Sequence, residues 1–152
     1  MGTALVAVIG TLLGSVVTHF LQRQTAERTA ALARAEQLRQ ERIPAYSAFA
    51  GAVVDYRRGQ NDRWHRRAEA PGSDSAESAR MESYRLRAAA RQALYRVQLV
   101  CGDNAAVQLA VSAFEATNRM HEATDEAERS LRPEEAQEAV RAFIATAAPG
   151  VR

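Results

Sequence analysis

The sequence has little of what catalytic and metal centres are usually built from. Among 152 residues there are three histidines, one cysteine and no lysine. A single cysteine, Cys101, excludes an intrachain disulfide and a cysteine-based zinc knuckle, and we expect it to pack as a small hydrophobic residue. The chain also contains no P-loop, no GxGxxG and no HExxH motif. We therefore expect no enzymatic activity, no cofactor and no metal site.

Glycine, proline and aromatic residues are scarce too, with eight glycines, four prolines and 6% aromatics. The remainder is rich in alanine, arginine, glutamate and leucine, which lose little free energy on entering a helix. No stretch of any length predicts a strand, so the fold class predicted is all-α. The formal net charge of +2 is too small to favour nucleic acid as a partner.

The N-terminal region carries a long apolar run. Residues 4–21 read ALVAVIGTLLGSVVTHFL and contain no permanently charged side chain. As a helix this run is about 27 Å long, close to the thickness of a bilayer's hydrocarbon core. A cleaved signal peptide would need a basic leader and a small-residue cleavage site, and a buried soluble helix would not be apolar all round. The run predicts a transmembrane anchor at residues 1–22.

The charges around this anchor predict its orientation. No basic residue precedes the run, whereas five arginines come after it within about 20 residues, the range over which the positive-inside rule counts. They are Arg23, Arg28, Arg34, Arg39 and Arg42. We expect a single-pass protein of the cell membrane, with the N-terminus outside and the C-terminal domain in the cytoplasm.

The anchor also has one face of small residues. At 100° per residue its small side chains fall within an arc of about 140°, and the large ones lie opposite. The proposed contact face comprises Ala7, Gly10, Thr11, Gly14, Ser15 and Thr18, and it includes a G-x-x-x-G. Because helices in lipid associate through close backbone contact, the face predicts a homo-oligomer, most simply a dimer, in contact with membrane lipid.

After the anchor, helix-favouring sequence continues through a juxtamembrane stalk at residues 23–43. Proline at position 44 is expected to end this stalk helix or kink it. The loop at 70–75, the Gly-Asp-Asn at 102–104 and the proline at 133 divide the remainder of the chain. We predict a small antiparallel helical bundle over 44–148, with helices at 44–69, 75–101, 104–130 and 133–147.

Each predicted helix has an apolar stripe with helical spacing. The helix at 75–101 is expected to bury Met81, Tyr84, Leu86, Ala90, Leu94, Val97 and Cys101. The other stripes contain Phe49 and Val53, then Ala110, Phe114 and Thr117, and finally Val140, Phe143 and Ile144. The core is rich in alanine, so we expect close helix approach and modest stability.

One cluster of arginines suggests binding. Arg57, Arg58, Arg63, Arg66 and Arg67 surround Trp64 and His65. They fit contact with lipid headgroups or other phosphates, but they also suit the dipole at a helix C-terminus. On a helical wheel they spread around the axis, which favours the second interpretation. A metal pair at His121 and Asp125 has the right spacing but no third ligand in a recognisable pattern, so a solvated acidic face is preferred.

A resemblance adds to this pattern. The stretch MGTALVAVIGTLLGSVVTHFLQRQTAERTAALARAEQLRQERIPAYSAFAGAVVDYRR resembles small uncharacterised membrane proteins of high-GC filamentous bacteria, some of them KilB-like. The similarity covers mainly the first 58 residues and brings no chemical motif. It implies a role in spreading mobile DNA between cells.

Three functional hypotheses result. The residues favour a membrane-anchored helical scaffold that binds itself or an unknown protein partner. The resemblance implies a component of a DNA-transfer apparatus. A membrane-associated regulator or enzyme with an unrecognised site is the third hypothesis.

Overall fold

The structure is a computed structural model of the chain. It describes the backbone of residues 2–123 and 126–151, and the side chains of residues 19, 22–123 and 127–151. Over these residues all regular structure is helical, which confirms the all-α fold class. The helices are α1 (Gly2–Glu69), α2 (Asp74–Val100), α3 (Asn104–Asn118) and α4 (Glu126–Ala147), with 3₁₀ turns at Arg119–Glu122 and Ala148–Val151.

The chain divides into two compact units, Met1–Leu38 and Arg39–Arg152. In the first unit, every side chain from residue 22 to residue 38 is exposed. Arg23 and Glu27, one helical turn apart, form an ion pair of 3.1 Å. This exposure suits a segment whose apolar residues are few and widely spaced.

The predicted span at 4–21 lies, apart from His19, outside the residues whose side chains are described. Its proposed contact face, from Ala7 to Thr18, lies outside them as well. Where the structure does describe the chain, it contains no helix with both the length and the apolar character needed to cross a membrane. Membrane anchoring and its contact face therefore stay predictions.

The second unit is a bundle in which α1 from residue 39 onward packs against α2, α3 and α4. Phe143 of α4 meets Phe49 of α1 edge-to-face, with ring centroids 5.1 Å apart. Tyr56 of α1 lies 6.1 Å from Phe114 of α3. Between these rings the core is filled largely by buried alanines, namely Ala90, Ala106, Ala110, Ala113 and Ala147. Such small side chains let helices approach closely, as the sequence led us to expect.

The order of the helices around the core is determined by their contacts. α3 packs against both α2 and α4, and no close backbone approach joins α2 to α4 within the described ranges. α1 is bonded to α2 through Gln60 and Ser83 and to α4 through Arg57 and Gln137. α2 and α4 therefore lie diagonally across the bundle, separated by α1 and α3.

Two prolines lie inside helices: at Pro44 the sequence predicted a helix end or a kink, and at Pro133 it predicted a helix start. α1 continues through Pro44, and α4 begins at Glu126 rather than at Pro133. Proline has no N–H to donate to the carbonyl oxygen four residues earlier. Because Pro44 is exposed, water can donate to that carbonyl oxygen instead. The first turns of α4 are held by Arg132, which bonds Glu128 at 3.1 Å.

α3 is shorter than the predicted helix at 104–130, because it ends at Asn118. The carbonyl oxygen of Asn118 accepts a hydrogen bond of 3.3 Å from the side chain of Gln60, and the ring of His121 also contacts it. Side chains thus satisfy a carbonyl that a continuing helix would otherwise use, and the chain changes to the 3₁₀ turn Arg119–Glu122.

Candidate interaction surfaces

The most deeply buried polar groups form one network between three helices. Gln60 is 2% exposed and Ser83 1%; the Ser83 hydroxyl donates to Oε1 of Gln60 at 2.9 Å. Nε2 of Gln60 donates to the Tyr56 hydroxyl at 3.1 Å and lies 3.4 Å from the Thr117 carbonyl oxygen. The Tyr56 hydroxyl in turn donates to Oδ1 of Asn118 at 3.0 Å.

This network is structural in character. Burial raises the pKa of Tyr56 above its ordinary value, although three nearby arginines oppose the shift. The Ser83 hydroxyl is occupied as a donor to the Gln60 amide. The network joins α1, α2 and α3 and sets their register.

Two members of the predicted arginine cluster belong to the bundle's internal contacts or to its own helix. Arg57 donates to Gln137 at 2.7 Å and to the carbonyl oxygen of Pro133 at 3.3 Å, so it ties α1 to α4. Arg66 pairs with Asp62 at 3.5 Å on the surface of α1. Arg58 is exposed.

The other two members, Arg63 and Arg67, meet α2 at the turn that joins it to α1. A cleft of about 290 Å³ opens there, lined by Arg63, Arg67, Gly72, Ser73, Ala76, Glu77 and Arg80. Ser73 caps α2, since its hydroxyl accepts from the N–H of Ala76 at 3.2 Å. Glu77 also lies in the cleft and pairs with Arg80 at 3.2 Å, which reduces the positive charge available to an anion.

The outer side of α2 carries a second apolar face, opposite the one in the core. Its large side chains are Met81, Tyr84, Tyr95 and Leu99, exposed by 56%, 44%, 55% and 85%. On the helical wheel they lie about 180° from the buried Ala90 and Val97. Exposed arginines flank this face at positions 80, 85, 91 and 96. We call Met81, Tyr84, Tyr95, Leu99 and these four arginines the basic face.

This arrangement corrects the predicted stripe of α2. Met81 and Tyr84 were expected in the core together with Ala90 and Leu94, but they point to solvent. The signal was present in the spacing, because Met81 and Ala90 are nine residues apart and therefore half a turn out of phase. The predicted stripe therefore combined residues of two different faces of α2, the buried one and the exposed one. Ile144, which the sequence placed in the apolar stripe of the last helix, is exposed as well.

The outer side of α4 has the opposite charge. Glu134, Glu135 and Glu138 are exposed. Glu128, partly exposed, lies about two turns before Glu134, and Leu131 stands between the two. Glu138 contacts Arg141 at 3.6 Å. We call Glu128, Leu131, Glu134, Glu135 and Glu138 the acidic face. The sequence predicted an acidic region in this part of the chain, but it did not predict that this surface lies diagonally across the bundle from the basic face.

No metal centre emerges where the structure describes side chains, because no group of three histidine, cysteine, aspartate or glutamate residues converges there. His121 is exposed and its ring contacts the Asn118 carbonyl oxygen. Asp125, its suggested partner, lies outside the described residues.

Fold and surfaces together define a small helical bundle with two outward faces of opposite charge. Comparison with known proteins places it more closely. The sequence profile of the KilB plasmid transfer protein family matches residues 43–151, and the chain therefore belongs to that family. The match covers nearly all of the bundle.

A relative gives the same result. The chain is 35% identical over 100 residues to Protein KilB of Streptomyces lividans, an alignment that covers 66% of this chain and 65% of that protein. The chain thus spans a little under two thirds of the relative's length. No solved structure matches the chain. The resemblance seen in the first 58 residues was right about the family, but the family profile lies mainly on the bundle.

Proposed function

We propose that this chain is a non-catalytic, membrane-anchored helical scaffold that serves plasmid transfer. The observation that carries the proposal is the family match over residues 43–151. What the chain has in common with its family is therefore mainly a helical bundle. A bundle with two exposed charged faces suits the binding of other proteins better than chemistry on a small substrate.

Anchoring is the second part of the proposal and rests on sequence. The apolar run at 4–21 is long enough to span a bilayer, and the five arginines after it favour a cytoplasmic bundle. Membrane lipid and at least one further protein would then be its partners. The small net charge gives no reason to add nucleic acid.

A transfer assay tests the function. The gene is deleted from a plasmid-bearing donor, and transfer to recipients is counted with and without the full chain restored. We expect transfer to fall on deletion and to return with the full chain. A chain whose residues 1–22 are replaced by an unrelated single-span anchor should restore it as well, whereas one lacking 1–22 should not. Undiminished transfer from the deletion strain would contradict the proposed role.

The anchoring is tested separately by fractionation. The full chain should stay with membranes after an alkaline carbonate wash, and the chain lacking 1–22 should not. Release of the full chain by the wash would show that the anchor is wrong without touching the role in transfer.

A further inference from the structure

We propose that copies of this chain associate head-to-tail, the basic face of one bundle docking on the acidic face of the next. The proposal rests on the bundle's surfaces and does not depend on the function proposed above. Its starting point is that one molecule carries both members of a complementary pair. The basic face combines four arginines with four large exposed hydrophobic side chains; Arg80 and Arg85 pair with glutamates of their own helix, whereas Arg91 and Arg96 have no such ion pair among the described contacts. The acidic face surrounds Leu131 with glutamates, of which Glu134 and Glu135 have no ion pair among the described contacts, while Glu128 and Glu138 pair with arginines of α4.

The two faces cannot meet within one bundle. α2 and α4 lie diagonally, with α3 packed against both. Each outer face is opposite to its own helix's buried side, which includes Ala90 and Val97 in α2 and Ala136 and Val140 in α4. The faces therefore point away from each other, and only a second copy can bring them together.

The faces also lie at the same height on the bundle. Gln60 of α1 bonds Ser83 of α2, and Arg57, one turn earlier in α1, bonds Pro133 and Gln137 of α4. The level of Ser83 in α2 thus corresponds to the level of about residues 130–134 in α4. Arg80 lies one turn before Ser83, and Glu128 lies one turn before residues 130–134 of α4. Arg80 and Glu128 are therefore at about the same height.

The directions of the helices agree with this register. Arg42 of α1 contacts Val100 of α2, and Gln60, later in α1, contacts Ser83, earlier in α2. α2 therefore runs antiparallel to α1. Likewise Phe49 contacts Phe143 while Arg57 contacts Pro133 and Gln137, so α4 is antiparallel to α1 too. α2 and α4 are therefore parallel to each other. If a second copy is displaced sideways without rotation, its α2 lies beside α4 of the first copy at the same height. Arg80 then faces the height of Glu128, and Arg91 that of Glu138.

A symmetric pair through α2 alone fits the charges less well. In an antiparallel α2–α2 contact centred near Ala90, Arg85 of one copy approaches Arg96 of the other. Like charges placed together oppose association, whereas α4 offers the opposite sign. A contact between two different patches repeats from copy to copy, and every copy keeps the same orientation.

Two charge-reversed variants of the full chain, solubilised in mild detergent, test the proposal by sedimentation. R85E/R91E alters the basic face, E135R/E138R alters the acidic face, and R58E/R66E on α1 is the matched control. We expect the unaltered chain and the control to form assemblies that grow with concentration. Each altered chain alone should associate at least about tenfold more weakly, a loss of one decade in affinity.

Mixing distinguishes this geometry from any other. Each altered chain keeps one unaltered face. When R85E/R91E is mixed with E135R/E138R, the unaltered acidic face of the first can bind the unaltered basic face of the second, and the two reversed faces are complementary as well. The two chains should therefore bind each other again. A chain with all four reversals should also regain assembly. Circular dichroism of every variant should match the unaltered chain; if one variant is unfolded, Y84A/L99A replaces it on the basic face and L131A on the acidic face.

Three results would overturn the proposal. The first is an unaltered chain that stays monomeric. The second is a dimer that depends on the basic face but not on the acidic one, which would indicate a symmetric contact or a different acidic partner. The third is assembly that none of the variants weakens, which would assign association to another part of the chain.

Discussion

Replacing Gln60 by alanine should destabilise the bundle more than any other single polar change in the described structure. Gln60 is the centre of the buried network: it accepts from Ser83 and donates to Tyr56. In the variant the Ser83 hydroxyl loses the partner on which its burial depends, at about 1–3 kcal/mol. The removed side-chain atoms leave a cavity, which adds roughly 1–2 kcal/mol. Alanine's higher helix propensity returns only about 0.4 kcal/mol.

The expected loss of stability for Gln60→Ala is therefore about 2–4 kcal/mol. Ser83→Ala alone should cost about 1–2 kcal/mol, because it leaves Oε1 of Gln60 without that donor. In the Gln60→Ala background the same serine change should cost close to nothing, since the serine is already orphaned there. The coupling between the two sites should then be about 1 kcal/mol or more.

Urea unfolding of residues 39–152, monitored by circular dichroism, measures these differences. Gln108→Ala is the matched control, because Gln108 is exposed on α3 and should change stability by less than about 0.5 kcal/mol. If Gln60→Ala falls within that same range, or if the two changes are simply additive, the network does not hold the helices in register and the reasoning fails.

The other expectations are more direct. A fragment from about Ile43 onward should show high helicity and a cooperative melt; a disordered spectrum would mean that the bundle needs the rest of the chain or a partner. Burial, with a hydrogen bond to Cys101, raises the pKa of Tyr46 from 10.0 to about 12. The unfolded chain then loses this proton first, so stability should fall as pH rises from about 10 to 12, and Tyr46→Phe should lessen that fall. The chain has four tyrosines, so Tyr46 is read from the difference between the phenolate absorbance titrations of the unaltered chain and of Tyr46→Phe, and a normal Tyr46 titration would contradict the shift. A reporter active only in the cytoplasm should be active at the C-terminus, and activity of an extracytoplasmic reporter alone would reverse the topology. Replacing Gly10 and Gly14 with isoleucine should abolish association of the isolated span in a membrane two-hybrid assay; unchanged association would move the contact elsewhere.

Local signals predicted much of the helical pattern. The loop at 70–75 and the Gly-Asp-Asn at 102–104 separate α1, α2 and α3 where expected, because capping by Ser73 and Asp103 is a short-range property of the chain. Phe49, Val53, Phe114 and Phe143 are buried, as their spacing indicated. These features depend on neighbours within one or two turns, which a sequence displays directly.

Features that depend on a partner helix could not be predicted in the same way. Gly59 lies inside α1, where a Cβ would lie 2.5 Å from Cδ1 of Leu86, so glycine allows α2 to approach. Arg57 was one of five arginines considered for phosphate contact, and in the structure it also bonds Gln137 of α4. Neither role is visible without knowing which helix lies opposite.

The prolines show why local rules and the bundle disagree in places. A proline inside a helix costs a hydrogen bond and crowds the preceding turn, roughly 3 kcal/mol in isolation, which is why Pro44 was expected to end or kink its helix and Pro133 to begin one. Around Pro44, packing works against that cost, since Ala45 and Phe49 immediately after it are fully buried. In α4, Arg57 bonds the carbonyl of Pro133 itself, and Ala136 just beyond is fully buried. A helix that is interrupted at either proline would change the direction of these buried side chains. Tertiary contacts therefore favour continuity, and in α4 that continuity keeps Glu128 and Leu131, before Pro133, on one helix with the glutamates of the acidic face that follow it.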